Sequence, residues 1–259
     1  MRISRFFLSL VVAGAAFLAA SCGDKNNYNN NIEPEKPGQG ATHKGPKAVF
    51  IGDSITWQWG LVTRTLKASQ QVIIPIDPMP AWMSISGENV TITWHAGFFT
   101  SNNYVDKGVS AETTSQMLAR YQNDVLSLDP FCVVIMGGTN DLAQGVSKDN
   151  ILSNIKSMAE QAAAKNMKVV LCSVTPCNDE YSRLTPRPKG THIVALNKMI
   201  KEYAVSKNFT YCDYYPTLVA ADGYSLKTEY CLYDHLHPNP DAYTVMEGVI
   251  KPIIEGLLK

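Results

Sequence analysis

The chain has 259 residues, of which 45% are hydrophobic and 18% charged, a composition typical of a globular protein with a sizeable core. The 23 basic and 23 acidic side chains leave a formal net charge of zero. This balance argues against nucleic-acid binding and against electrostatic attachment to an anionic membrane.

The first 22 residues have the pattern of a secretory signal. Arg2 and Arg5 precede an apolar run over residues 6–20, and small residues lead up to Cys22. The end of the run, "LAASC", resembles the lipobox of bacterial lipoproteins, in which the cysteine is lipidated, although Leu18 lies four rather than three residues before it. We expect an exported protein held on the cell envelope, at its periplasmic or cell-surface face, by a lipid on Cys22. A simple cleaved signal and a short membrane anchor are the alternatives.

Residues 23–46 are rich in asparagine and proline and lack apolar periodicity, which predicts a flexible tether. The folded domain is expected over residues 47–259. No segment of it is apolar for long enough to span a bilayer. The only contact with a membrane is therefore expected through the lipid anchor.

The five cysteines after Cys22 are an odd number and lack paired zinc-type spacing. Three of them lie in apolar or aromatic runs and are predicted to be core residues: Cys132, Cys172 and Cys212. A disulfide between Cys177 and Cys231 stays open at this stage. We predict neither a bound metal nor a cofactor.

From residue 47 onward, short apolar runs alternate with helical patterns. Five runs are candidate strands: "AVFIG", "NNYVDKG", "FCVVIMGG", "KVVLCSV" and "FTYCDYY". Helical patterns lie between them, one with Ser147 as its expected N-cap. This alternation predicts a doubly wound α/β domain, with a mainly parallel five-stranded sheet covered by helices on both faces. Residues 71–99 interrupt the alternation and are interpreted as an insertion that contains a small β element.

Polar residues follow several of the predicted strands. Ser54 follows the first, Gly108 the second and Asn140 the third, while Asp234 and His237 lie beyond the fifth. Ser54 or Asn140 alone would usually be a helix cap and Gly108 alone a turn residue, and an Asp three residues before a His is common by chance. Because the carboxyl ends of parallel strands share one edge, these residues are expected to converge there. A hydroxyl, a base, a carboxylate and amide donors are the parts of a serine hydrolase.

The same residues carry a resemblance to the SGNH hydrolases, also called the GDSL esterase/lipase family. The matching blocks are "GDSI" at residues 52–55, a glycine block at Gly108, "GGTND" at residues 137–141 and "DHLH" at residues 234–237. The resemblance implies a flavodoxin-like sheet, with Ser54 as nucleophile, His237 as base and Asp234 as its partner. It also implies an oxyanion hole made by the backbone amides of Ser54 and Gly108 and by the side chain of Asn140.

The glycine block departs from the family pattern, because Asp106 and Ala111 stand where relatives often have asparagine and glycine. The chain has no G-x-S-x-G elbow, which argues against the α/β-hydrolase class. A metal-dependent hydrolase using Asp234, His235 and His237 is a further alternative, suggested by the "HLH" spacing.

An envelope lipoprotein meets glycans, so the expected substrate is a short-chain ester, preferably an acetyl group on a carbohydrate. Aromatic residues supply flat faces for sugar rings, and Trp57, Trp94 and Tyr104 are the predicted contacts. One alternative is a lipase, thioesterase or lysophospholipase that acts on longer acyl chains. The other is a catalytically silent glycan-binding lipoprotein.

Overall fold

The structure is a computed structural model that describes residues 42–61, 63–67, 79–94, 97–178, 190–232 and 234–259. The predicted signal segment, its Cys22 and residues 23–41 of the predicted tether lie outside these residues.

The described strands are β1 (Ala48–Gly52), β2 (Thr63–Lys67), β3 (Met83–Ser86), β4 (Asn89–Thr93), β5 (Tyr104–Gly108), β6 (Cys132–Met136), β7 (Lys168–Cys172) and β8 (Thr210–Cys212). The described helices are α1 (Ser54–Trp59), α2 (Phe98–Asn102), α3 (Thr114–Asp124), α4 (Thr139–Ala143), α5 (Lys148–Ala163), α6 (Gly190–Ser206), α7 (Tyr215–Leu218) and α8 (Pro240–Leu257).

Five strands form one sheet in the order β5-β1-β6-β7-β8, and every neighbouring pair is parallel. The five predicted strands and the α/β fold class are thus confirmed. The chain passes from β1 to β5 on one side and then returns to β6 on the other side of β1. This reversal makes the carboxyl end of β1 the topological switch point, where doubly wound sheets form their sites.

The sheet is buried on both faces, as its continuous apolar strands require. Along β1, Phe50 packs into one hydrophobic cluster, while Val49 and Ile51 pack into the other. The apolar face of α5, including Ile151 and Met158, packs into the second cluster. That helix begins where the sequence indicated, because the Ser147 hydroxyl accepts a hydrogen bond from the Asn150 amide at 3.2 Å.

A second, antiparallel sheet has the order β2-β4-β3. It begins at Thr63, upstream of the segment in which the sequence pattern indicated a β element. Val90 and Ile92 are buried, as their alternation indicated. Just before β3, Trp82 donates a hydrogen bond from Nε1 to Asp241 Oδ2 at 2.8 Å, in the first turn of α8. The second sheet is thereby tied to the helix that follows the "DHLH" segment.

The cysteines predicted to be core residues are buried: Cys132, Cys172 and Cys212. The thiol of Cys231 is free and donates to the Lys227 carbonyl at 3.2 Å, so the structure does not contain the disulfide with Cys177 that the sequence left open. Within the described part of the chain, no helix combines the length and apolar character needed to cross a membrane.

Candidate active site

Ser54 is the first residue of α1, directly beyond the carboxyl end of β1. Asp53 is the N-cap of this helix and accepts a hydrogen bond from the Ile55 amide at 2.9 Å. Gly52 is required at the preceding position, because a Cβ there would lie 2.0 Å from Thr56 Oγ1. The glycine therefore lets α1 start immediately after the strand, which brings the Ser54 hydroxyl to the sheet edge.

His237 and Asp234 complete a hydrogen-bonded chain with Ser54. Ser54 Oγ lies 2.8 Å from His237 Nε2, and His237 Nδ1 lies 2.6 Å from Asp234 Oδ2. The other carboxylate oxygen, Asp234 Oδ1, accepts from the amides of Leu236 (3.1 Å) and His237 (3.0 Å). The carboxylate thus holds both the backbone and the ring of His237. A hydroxyl, an imidazole and a carboxylate in this order can transfer a proton away from the hydroxyl.

The two carboxyl groups nearest this chain have opposite pKa shifts. Burial acts to raise the pKa of Asp234, but the hydrogen bonds and charge of His237, together with the Leu236 amide, lower it below its ordinary value. Burial raises the pKa of Asp53 to about 6, and the Asp141 charge adds to this, against the opposing effects of the Ile55 amide and His237. Asp234 is therefore the carboxylate that stays ionised beside the imidazole.

Asn140 lies in α4, beyond the carboxyl end of β6, and is 7% exposed. Its Nδ2 donates to the Glu112 carbonyl at 2.9 Å. Glu112 closes the turn after β5, where its amide meets the Val109 carbonyl at 3.4 Å. The Asn140 amide group therefore borders this turn, and the turn borders β1 because the Val109 amide donates to the Gly52 carbonyl at 3.0 Å.

The structure corrects the prediction that Gly108 supplies an oxyanion donor. The Gly108 N–H donates to Asp106 Oδ1 at 2.7 Å, so it is already engaged. Glycine is needed here for another reason, since a Cβ would lie 2.1 Å from the Trp57 amide nitrogen. Gly108 thus allows α1 to pack closely against the end of β5.

Ala111 is a candidate site residue that the sequence reasoning missed. It lies in the turn between Val109 and Glu112 and has a left-handed backbone with φ of 66°. Its amide makes no hydrogen bond to another residue in the described ranges. The sequence did mark this position, because relatives often have glycine there, and glycine adopts positive φ most easily.

Of the three aromatic residues predicted to contact substrate, only Trp57 is partly exposed. It lies one turn after Ser54 on α1, and the Arg64 guanidinium carbon is 5.9 Å from its ring centroid. Trp94 is 3% exposed and Tyr104 5% exposed, and both pack in the core. The Tyr104 ring lies 5.6 Å from that of Phe50. The prediction that these two residues contact substrate is therefore wrong, because their apolar faces pack inside the protein.

The metal-site alternative has no geometric support in the described ranges, where no group of three or more His, Cys, Asp or Glu side chains is arranged to hold an ion. Asp234 and His237 are hydrogen-bonded to each other. His235 has a left-handed backbone with φ of 54°.

A profile of the GDSL-like Lipase/Acylhydrolase family matches residues 50–245, about three quarters of the sequence. The chain belongs to this family. The match confirms the resemblance drawn from the four sequence blocks and identifies the protein as a hydrolase of ester bonds.

Solved structures agree with this assignment. A GDSL-like lipase from Bacteroides thetaiotaomicron is 31% identical, with 81% of this chain and 87% of that chain covered and a TM-score of 0.61. A candidate acylhydrolase from Bacteroides fragilis is 29% identical over 82% and 88% of the two chains, with a TM-score of 0.63. A variant of an acetyl-xylooligosaccharide esterase from Geobacillus shares the fold at 19% identity, 81% and 94% coverage and a TM-score of 0.55. A search of curated proteins returned no match to this GDSL-like hydrolase.

Proposed function

We propose that this GDSL-like hydrolase cleaves carboxylic esters through an acyl intermediate on Ser54. The observation that carries the proposal is the hydrogen-bonded chain from Ser54 Oγ through His237 to Asp234, at 2.8 and 2.6 Å. His237 Nε2 takes the hydroxyl proton as Oγ attacks the carbonyl carbon, and Asp234 stabilises the imidazolium that forms. When the tetrahedral intermediate collapses, the leaving alcohol takes the proton from His237. Water, activated by the same imidazole, then hydrolyses the acyl-Ser54 ester.

The oxyanion needs donors that are free in the resting enzyme. Asn140 Nδ2 carries two hydrogens, and the Glu112 carbonyl accepts one of them, which leaves one for the oxyanion. The Ser54 amide, at the start of α1, is the second donor. The Ala111 amide takes the place first given to Gly108, because it has no acceptor among the described residues.

The nucleophile is tested with Ser54→Ala. We expect a folded protein whose ester hydrolysis falls by at least about a thousandfold, as serine hydrolases do on loss of the nucleophile. A fluorophosphonate probe should label Ser54 in the wild type and nothing in the variant. Ser127→Ala, on an exposed site, is the matched control and should keep both activity and labelling. Labelling at another serine would contradict the proposal.

For the substrate, we propose a short acyl ester, preferably acetyl, on a carbohydrate. Support comes from the partly exposed ring of Trp57, one helical turn from Ser54, which offers a flat apolar face for a sugar. Further support is that a protein of the same fold, at 19% identity, is an acetyl-xylooligosaccharide esterase.

A series of p-nitrophenyl esters from acetyl to decanoyl, together with acetylated oligosaccharides and phospholipids, separates the alternatives. The proposal expects kcat/KM to fall with acyl length and Trp57→Ala to raise KM for the oligosaccharide but not for p-nitrophenyl acetate. Faster cleavage of long chains would favour a lipase or thioesterase. Glycan binding without any hydrolysis would favour the silent lipoprotein.

We also propose export and lipid anchoring at Cys22, on the sequence pattern of residues 1–22 alone. The full chain expressed in a bacterium should partition with membranes and incorporate labelled fatty acid. Cys22→Ser should lose the label and leave the membrane fraction. Incorporation that persists in this variant would contradict the anchor.

A further inference from the structure

Arg120, on α3, has no role in the proton-transfer chain, yet its side chain is only 17% exposed and uses all three guanidinium nitrogens. Nε donates to Glu112 Oε2 at 2.7 Å and Nη1 to Asp124 Oδ2 at 2.9 Å. Nη2 donates to two backbone carbonyls, that of Lys107 at 2.8 Å and that of Gly52 at 3.2 Å. One side chain therefore joins two strand ends and one turn.

The groups that Arg120 holds lead directly to the proposed oxyanion donors. Gly52 is two residues before Ser54, so its carbonyl fixes the end of β1 from which α1 starts. The Glu112 side chain, 14% exposed, pairs with Arg120, while the backbone amide of Glu112 closes the turn that contains Ala111 and its carbonyl accepts from Asn140 Nδ2. Ser54 and Ala111 therefore lie within two residues of a group that is hydrogen-bonded to this guanidinium, and Asn140 is connected to it through Glu112.

Only arginine provides this set of bonds, because its planar fork presents donors in fixed directions. A lysine would supply a single point charge that cannot reach two carbonyls and two carboxylates together. The carboxylates of Glu112 and Asp124 pair with Arg120, and Lys107 supplies the second positive charge of this partly buried cluster.

We propose that Arg120 is the positioning residue of the oxyanion hole. It sets the distance between the Ser54 end of β1 and the Ala111–Glu112 turn, and thereby the convergence of the three donors on one point. This inference rests on the proposed function. Because the donors stabilise charge that exists only in the transition state, their misplacement lowers kcat and leaves KM nearly unchanged.

The test compares Arg120→Met and Arg120→Lys with the matched control Lys107→Met. Lys107 Nζ also binds Asp124, at 3.3 Å, so the control removes a cation from the same cluster without breaking a bond to Gly52 or Glu112. The measurements are kcat and KM for p-nitrophenyl acetate, the melting temperature, and the affinity for a trifluoromethyl ketone. The ketone forms a reversible tetrahedral adduct with a serine and needs the oxyanion donors.

We expect Arg120→Met to lower kcat by about 10- to 100-fold, up to the loss that a misplacement of about 1 Å can cause. The ketone affinity should fall by a similar factor. KM should change less than about twofold, because binding of the ground-state substrate does not use the oxyanion donors. Arg120→Lys should show a smaller loss in the same direction, and it keeps the inference testable if Arg120→Met does not fold. A third variant, Arg120→Ala, leaves space for a guanidinium ion, and free guanidinium at non-denaturing concentration should restore part of its kcat.

Two results would overturn the inference. One is a folded Arg120→Lys or Arg120→Met variant with wild-type kcat and ketone affinity. The other is an equal loss in Lys107→Met, which would assign the effect to the charge of the cluster. If the wild-type protein shows no ester hydrolysis that depends on Ser54, the proposed function is wrong and this inference falls with it. The two failures are therefore distinguishable.

Discussion

At the scale of single residues, the two histidines of the "DHLH" segment differ in backbone geometry and in their contacts. The His237 ring lies between Ser54 and Asp234, whereas the His235 carbonyl accepts from the Asn178 amide and its backbone is left-handed. The different placement of the two residues gives a direct test of the proposed base.

His237→Ala should lose activity by about a thousandfold or more, because the Ser54 proton then has no acceptor. His235→Asn should keep most of the activity, since asparagine tolerates the left-handed backbone that His235 adopts. Both variants are assayed with p-nitrophenyl acetate after their folding has been checked by circular dichroism. An inactive His235→Asn beside an active His237→Ala would reverse the assignment.

The raised pKa of Asp53 predicts that the free energy of unfolding depends on pH. Because burial raises its pKa from 3.8 to about 6 in the folded state, the native protein binds more protons than the unfolded chain between these values. The free energy of unfolding should therefore fall as pH rises through this window. At roughly 1.4 kcal/mol per pKa unit, the ionised carboxyl costs on the order of 3 kcal/mol at neutral pH.

Asp53→Asn should remove the contribution of Asp53, since the asparagine amide oxygen can still accept from the Ile55 amide, while Asp106, whose pKa burial also raises to about 6, keeps its own contribution. Urea unfolding from pH 4 to pH 8 is the measurement, with Glu202→Gln, an exposed acid on α6, as the control. The difference in free energy of unfolding between Asp53→Asn and the wild type should be larger at pH 8 than at pH 4. An equal difference at the two pH values would contradict the prediction.

At the scale of elements, the cap of α8 links the stability of a helix to the position of the proposed base. Asn239 Oδ1 accepts from the Ala242 amide at 3.0 Å, and its Nδ2 donates to the Glu229 carbonyl at 2.8 Å. His237 lies two residues before this cap. The side chain of Asn239 therefore holds both the helix start and the loop that leads into it.

Asn239→Ala should lower the free energy of unfolding by about 2 kcal/mol, through the lost cap and the carbonyl left without its donor. It should also lower kcat, because His237 loses part of its support. Ser147→Ala, which removes the cap of α5, should cost about 1 kcal/mol and leave kcat unchanged. Denaturant unfolding and steady-state kinetics on the two variants separate these effects, and equal kcat values would contradict the coupling.

At the scale of the whole molecule, two hydrophobic clusters lie on opposite faces of one sheet, and each contains buried tyrosines. In one, the Tyr243 hydroxyl donates to the Ile55 carbonyl at 2.7 Å. In the other, the Tyr121 hydroxyl is buried without a hydrogen-bond partner among the described residues. The same Tyr→Phe change should therefore have opposite effects on the two faces.

Tyr121→Phe should raise the free energy of unfolding by about 1 kcal/mol, because it removes an unsatisfied hydroxyl, and Tyr243→Phe should lower it by about the same amount. Since both clusters share the sheet, each variant should shift one common transition seen by fluorescence and circular dichroism. A destabilised Tyr121→Phe would mean that the hydroxyl is satisfied in solution.

Much of the fold followed from local patterns. The five strands of the parallel sheet and the start of α5 at Ser147 were predictable because apolar periodicity and capping depend on residues close in the chain. The grouping of Ser54, His237 and Asp234 followed from the rule that parallel strands end at one edge, and the distances between these residues agree with it. Their catalytic roles stay a proposal.

The sequence by itself determined the alternation of strands and helices, the family blocks and the residue types available for chemistry. Tertiary structure decided which of these groups are free to act. The Gly108 amide is engaged by Asp106, the aromatic faces of Trp94 and Tyr104 are buried, and the Ala111 amide has no acceptor within the described ranges. The physical reason is that apolar periodicity depends on residues close in the chain and indicates the type of element and its apolar face. Hydrogen-bond partners and exposure depend on segments brought together from distant parts of the chain.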